Sequence, residues 1–82
     1  MLKYEKGMLV RSLAGHDSGK LYIIIEENSG VLYLADGSIR TKDRPKKKKT
    51  MHVQLIKVRM ENEKLTDSDI RSFLKKYQKV NM

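Results

Sequence analysis

The chain has no cysteine and no tryptophan, a single proline and one phenylalanine in 82 residues. Without cysteine there are no disulfides and no thiolate metal sites, and a reducing compartment is compatible with the composition. Two histidines give a weak basis for a metal site, and no metal or cofactor is expected. No apolar run approaches the roughly 20 residues of a membrane helix, and the start MLKYEKGMLV lacks the longer apolar segment of a secretory signal. A cytoplasmic protein without membrane attachment, monomeric when free, is the expectation. Paired carboxylates, a nucleophile elbow and a phosphate-loop motif are all missing, so catalysis is not expected.

What the chain does have is positive charge. Lys and Arg number 18 against 10 Asp and Glu, a net charge of +8. The excess is local: RTKDRPKKKK, Arg40 to Lys49, holds seven basic residues and one acid. Self-repulsion and Pro45 disfavour a helix there and predict an extended, solvated loop whose lysines make no core contacts. A polyanion is the natural partner of such a run. Solubility or a localisation tag would also account for it, but its position between two predicted strands fixes it in space.

The segments around it have the apolar and β-branched content of short strands. MLVRS (Met8 to Ser12), LYIIIE (Leu21 to Glu26), VLYLA (Val31 to Ala35), SIRTK (Ser38 to Lys42) and HVQLI (His52 to Ile56) are each bounded by turn signals. The dipeptide Asp36-Gly37 suits a tight hairpin turn between the third and fourth of them. TDSDIRSFLKKYQKV then changes period, with Ile70, Phe73, Leu74 and Tyr77 at i, i+3, i+4 and i+7, an amphipathic helix over about 67–79. Thr66 is its N-cap, Asp69 completes a shortened capping box, and Lys75, Lys76 and Lys79 suit its negative end. The apolar stripe is expected to close the sheet, because so small a domain needs the extra core. The expected fold is mostly β: a small antiparallel SH3-like barrel of about five strands over 1–57, with a C-terminal extension over 58–82 whose amphipathic α-helix packs on the same domain.

The loop AGHDSGK, Ala14 to Lys20, sets His16, Asp17 and Ser18 between two glycines. Adjacent side chains on an extended chain point apart, so a catalytic relay is a poor explanation. Gly15 and Gly19 instead indicate positive φ, or a close approach of another molecule to the backbone. Asp17 is expected to cap the turn through a backbone N–H, and His16 to contact a phosphate or base or to stay within the loop. His52, beside the basic run, is expected to be structural.

On these residues a family resemblance can be stated. KGMLVRSLAGHDSGKLYIIIEE, Lys6 to Glu27, resembles the KOW motif, in which a glycine precedes a strand, a glycine-containing loop follows, and a second apolar strand closes the unit. The resemblance extends through YLADGSIR and RPKKKKTMH, over about Lys6 to Ile56, to the small bacterial KOW-domain RNA-binding proteins, which are similar to an archaeal and eukaryotic large-subunit ribosomal protein. It implies an SH3-like barrel that binds RNA, often ribosomal RNA, through the loop and adjacent basic side chains. One departure is Ser18, where such loops often carry another basic residue. That shifts weight to Lys46, Lys47, Lys48 and Lys49.

The expected RNA-binding set is Arg11, Gly15, His16, Gly19, Lys20, Arg40, Arg44 and Lys46 to Lys49. Loop glycines admit phosphate oxygens to backbone N–H groups, and the cations supply counterion release. Tyr22, Tyr33 and Tyr77 lie in apolar patterns and only Tyr4 is free to stack, so structured ribosomal RNA is a better partner than a single strand read by stacking. Ribosomal proteins are further possible partners. The alternative is an adaptor of the translation or transcription machinery, holding an acidic protein on the SH3-like surface or on the helix.

Overall fold

The computed structural model describes residues 3–61 and 64–80, with side chains through 78. The ends of the two expected segments, residues 1–2 and 81–82, and the connecting residues 62–63 lie outside the described residues. Five strands, β1 (Met8–Ser12), β2 (Leu21–Asn28), β3 (Val31–Ala35), β4 (Lys46–Lys49) and β5 (Val53–Arg59), precede one helix, α1 (Asp67–Val80). All pairings are antiparallel, in the order β4-β3-β2-β1-β5. A short 3-10 turn, Thr50–His52, carries the chain from one edge of the sheet to the other. Register slips between Met8 and Leu9 and between Ile24 and Glu26 are bulges, which bend the strands and increase their coiling. The sheet rolls up into a small barrel-like body of 27 × 27 × 26 Å.

The apolar run of β2 does not alternate because both of its faces are covered. Tyr22 and Ile24 face the barrel interior with Val10, Leu32, Leu34 and Val53. Leu21 and Ile23 face the other way, with Leu9 and Ala35, against Ile70 and Leu74 of α1 and against Met60 and Leu65. Each large aliphatic side chain taken out of water contributes roughly 1.5 to 3 kcal/mol, so a helix covering Leu9, Leu21 and Ile23 adds substantially to a small domain. Phe73 and Tyr77 flank this contact half-buried, while Ile70 forms its fully buried centre.

The helix begins where the capping pattern places it. Thr66 Oγ1 accepts the N–H of Asp69 at 3.2 Å and donates its hydroxyl to Asp69 Oδ2 at 2.8 Å. Its first turn docks on the loop after β3: Asp67 Oδ1 accepts the Lys42 N–H at 2.8 Å, and the Arg71 guanidinium donates to the Gly37 carbonyl.

Two expected elements differ from those observed. Ser38 to Lys42 is a loop, because the Asp36 carboxylate takes the N–H groups of Ser38 and Arg40, both at 2.9 Å, that a strand would have given to its neighbour. The place beside β3 is taken instead by Lys46–Lys49, which is β4 rather than a solvated loop, with Leu34 opposite Lys46 and Val31 opposite Lys49. The last strand also starts one residue later and runs further than expected, leaving His52 exposed at the end of the 3-10 turn.

Candidate nucleic-acid interface

Four consecutive lysines form a strand because strand geometry separates them. Successive side chains leave opposite faces, so Lys47 and Lys49 are exposed while Lys46 and Lys48 turn inward. The inward pair shares one counter-charge, Asp17. Lys46 Nζ and Lys48 Nζ each lie 3.0 Å from an Asp17 carboxylate oxygen, and the Ser12 and Tyr22 hydroxyls donate to the same carboxylate at 3.0 and 3.1 Å. Lys48 also donates to the Ala14 carbonyl at 2.9 Å.

Asp17 is therefore a buried anchor, not a turn cap. Only 7% of its surface is exposed. Burial alone would raise the pKa of its carboxyl, but hydrogen bonds from Lys46, Lys48, Ser12 and Tyr22 more than offset that and hold it well below the usual carboxylate range. The same contact acts in reverse on Tyr22. Burial and then the hydrogen bond to the Asp17 anion push its phenol up to about 12, so it remains a donor at neutral pH.

Above this anchor the loop closes on its own backbone. Ser12 N–H donates to Lys20 O at 2.9 Å, Gly19 N–H to Ser12 O at 2.8 Å, and Lys20 N–H to Asp17 O at 2.9 Å. Gly15 and Gly19 have φ of +85° and +91°, as their positions in the sequence imply. His16 and Ser18 are exposed while Asp17 is turned inward, so the three consecutive side chains form no relay. The tip of the loop presents backbone and His16 to solvent over a carboxylate-lysine base.

The other expected residues divide into two groups. Arg11 donates to the Gly19 carbonyl at 3.1 Å and so braces the loop. Lys20 lies 3.3 Å from Asp36 Oδ2 and 5.6 Å from the Tyr22 ring centre. Burial would raise the pKa of the Asp36 carboxyl, but the Ser38 and Arg40 amides and Lys20 outweigh it and draw the carboxyl below its ordinary value. Arg40, Arg44, Lys47 and Lys49, by contrast, are exposed and pair with no carboxylate among the described residues; Lys47 only overlies the Tyr33 ring, at 5.7 Å. Not all the cations in this region are equivalent, then: Lys46, Lys48 and Arg11 hold the scaffold together, Lys20 pairs with Asp36, and Arg40, Arg44, Lys47 and Lys49 have no carboxylate partner among the described residues.

Neither the Asp17 anchor nor its hydroxyl partners is visible in the local sequence. An acid between His16 and Ser18 carries no sign that it faces a strand 31 residues away. Among the described residues no group of His, Asp and Glu is placed to hold a metal ion, and no helix is long and apolar enough to cross a membrane. The chain matches no family model and no curated protein.

Proposed function

We propose that the protein is a non-catalytic RNA-binding module that holds structured RNA, with ribosomal RNA the favoured class, through its phosphates. The observation that carries this reading is the sorting of the lysine run. One buried carboxylate holds Lys46 and Lys48 inward, and Lys47 and Lys49 stay in water on a fixed strand, with Arg40 and Arg44 exposed in the preceding loop. Two side chains on the same face of a strand are about 6.6 Å apart, a spacing suited to successive phosphates of a nucleic-acid strand. Desolvating these cations against phosphate releases condensed counterions, a gain that is independent of sequence. The scarcity of exposed aromatic rings favours recognition of backbone shape over base stacking. The likeness of Lys6 to Ile56 to the KOW motif supports the same reading.

The test separates the two faces of β4. Replacing Lys47 and Lys49 together with alanine should leave the melting temperature unchanged, weaken binding to a labelled ribosomal RNA fragment, and make the plot of log affinity against log salt shallower by roughly 0.7 to 0.9 per lysine. Unchanged affinity and slope in that variant would refute the reading. An acidic protein partner, captured with equal affinity for RNA in both forms, would favour the adaptor.

A further inference from the structure

Between the start of β2, the loop after β3 and the first three turns of α1 lies an open cleft of about 560 Å³. That size falls within the roughly 300 to 1,000 Å³ of small-ligand sites. Its walls carry three cations from two separate elements: Lys20 from the barrel, and Arg71 and Lys75, one helical turn apart, from α1. Ser68 and Ser72, also one turn apart, add hydroxyls from the same helix. The buried side chains of Leu21 and Leu74 give it an apolar floor. Asp36 is the one acid among the described lining residues, and its oxygens accept from the Ser38 and Arg40 amides and from Lys20.

We infer that this cleft is a second RNA subsite, taking one phosphate and its ribose from the strand whose neighbouring phosphates lie on the barrel loop. The inference rests on the RNA reading above and extends it to the helix. Cations and hydroxyls around an apolar floor suit that ligand: the phosphate meets Lys20, Arg71 and Lys75, and the sugar covers Leu21 and Leu74. Lys20 joins the two regions, because its backbone closes the Gly15 to Gly19 loop and its side chain lines the cleft. Its side chain is 44% exposed, so it can turn to a phosphate while the buried Asp36 carboxylate keeps the Ser38 and Arg40 amides. Arg71 spends one N–H on Gly37 and retains the rest of its fork for a second acceptor.

The experiment compares Lys75→Glu and Lys75→Ala with the Lys47→Ala/Lys49→Ala variant, using a fluorescently labelled RNA hairpin with a single-stranded extension and AMP as a free mononucleotide. Lys75 is exposed, so both variants should keep the wild-type melting temperature. Lys75→Glu should weaken RNA binding by roughly tenfold at low salt, and Lys75→Ala should make the salt slope shallower by about 0.7 to 0.9. Amide resonances of Ser68 and Ser72 should shift with RNA and hardly move with AMP. Wild-type affinity in both Lys75 variants, alongside weakened binding in the strand variant, overturns the cleft site and leaves the RNA reading standing. A wild-type protein that binds no RNA overturns both. Shifts at Ser68 and Ser72 that saturate equally with AMP and RNA also overturn it, because the cleft would then be a free-nucleotide pocket and not the continuation of a strand.

Discussion

Replacing Asp17 with alanine is expected to cost about 3 kcal/mol of stability, a fall of roughly 12 to 24 °C in melting temperature for a domain of this size. The substitution removes the acceptor shared by Lys46, Lys48, Ser12 and Tyr22. The Tyr22 hydroxyl sits in a residue only 2% exposed and cannot turn to water without breaking the barrel interior, a loss of about 1 to 3 kcal/mol by itself. Lys48, whose side chain is 11% exposed, keeps the Ala14 carbonyl but loses its counter-charge. Lys46 is more open, at 28%, and relaxes into solvent, which holds the total below the sum of its parts.

The pH dependence gives a second check on the same contact. The Asp17 carboxyl titrates lower in the folded chain than in the unfolded one, so its contribution is complete above the unfolded value near 3.8 and is lost as pH falls through the folded value. Asp36 acts in the same direction. Urea unfolding in acid should therefore show a stability slope that Asp17→Ala reduces but does not abolish. A variant with wild-type stability at neutral pH and a wild-type acid slope would show that the carboxylate does not anchor the loop.

The second large effect is expected at Gly37. A Cβ built there would overlap the carbonyl oxygen of Asp67 and sit 2.9 Å from Arg71 Cγ and 3.0 Å from the Arg71 amide nitrogen, and φ is +82°. Two of these obstacles are helix backbone, so no rotamer change relieves them. Gly37→Val should push the first turn of α1 off the loop, uncovering Leu9, Leu21 and Ile23, at a cost of about 3 to 5 kcal/mol. Gly37→Ala should be nearly as damaging, because the clash begins at the first added carbon. Gly30 provides the control: its φ is +83° but nothing lies within 4 Å of its Cβ position, so Gly30→Ala should cost only about 1 kcal/mol. Denaturant titration of the three variants measures the difference, and equal losses at 37 and 30 would mean that backbone conformation matters and helix contact does not.

Local signals made much of this fold legible. The start of α1 could be read because Thr66 and Asp69 act on each other and on the nearest amides, and because Ile70 and Leu74 repeat at helical spacing. β1, β2 and β3 were legible from apolar runs between turns. The lysine run was not, since four identical residues have no period and their repulsion argues against the strand they form. A distant acid, Asp17, holds two of them inward, and the strand turns the other two to water. Ser38 to Lys42 is the opposite case: its composition suits a strand, but Asp36 captures the Ser38 and Arg40 amides first. Of the expected site, Arg40, Arg44, Lys47 and Lys49 are exposed with no carboxylate partner among the described residues, whereas Lys46, Lys48 and Arg11 belong to the scaffold. The cleft depends on Lys20 and α1 approaching each other, which neither segment announces.

Burial of β2 on both faces also governs how the molecule comes apart. Tyr22 and Ile24 need the barrel interior, Leu21 and Ile23 need the helix, and four consecutive residues bind both requirements to one piece of backbone. Loss of the helix wets one face of the strand that pairs with both β1 and β3. Loss of the barrel closure, in which Met8 meets Arg59 across most of the described chain, wets the other. Neither half is a refuge for the other. Sheet and helix are therefore expected to unfold together, and the cationic surface with them, so that helix and barrel signals should fall in one coincident transition.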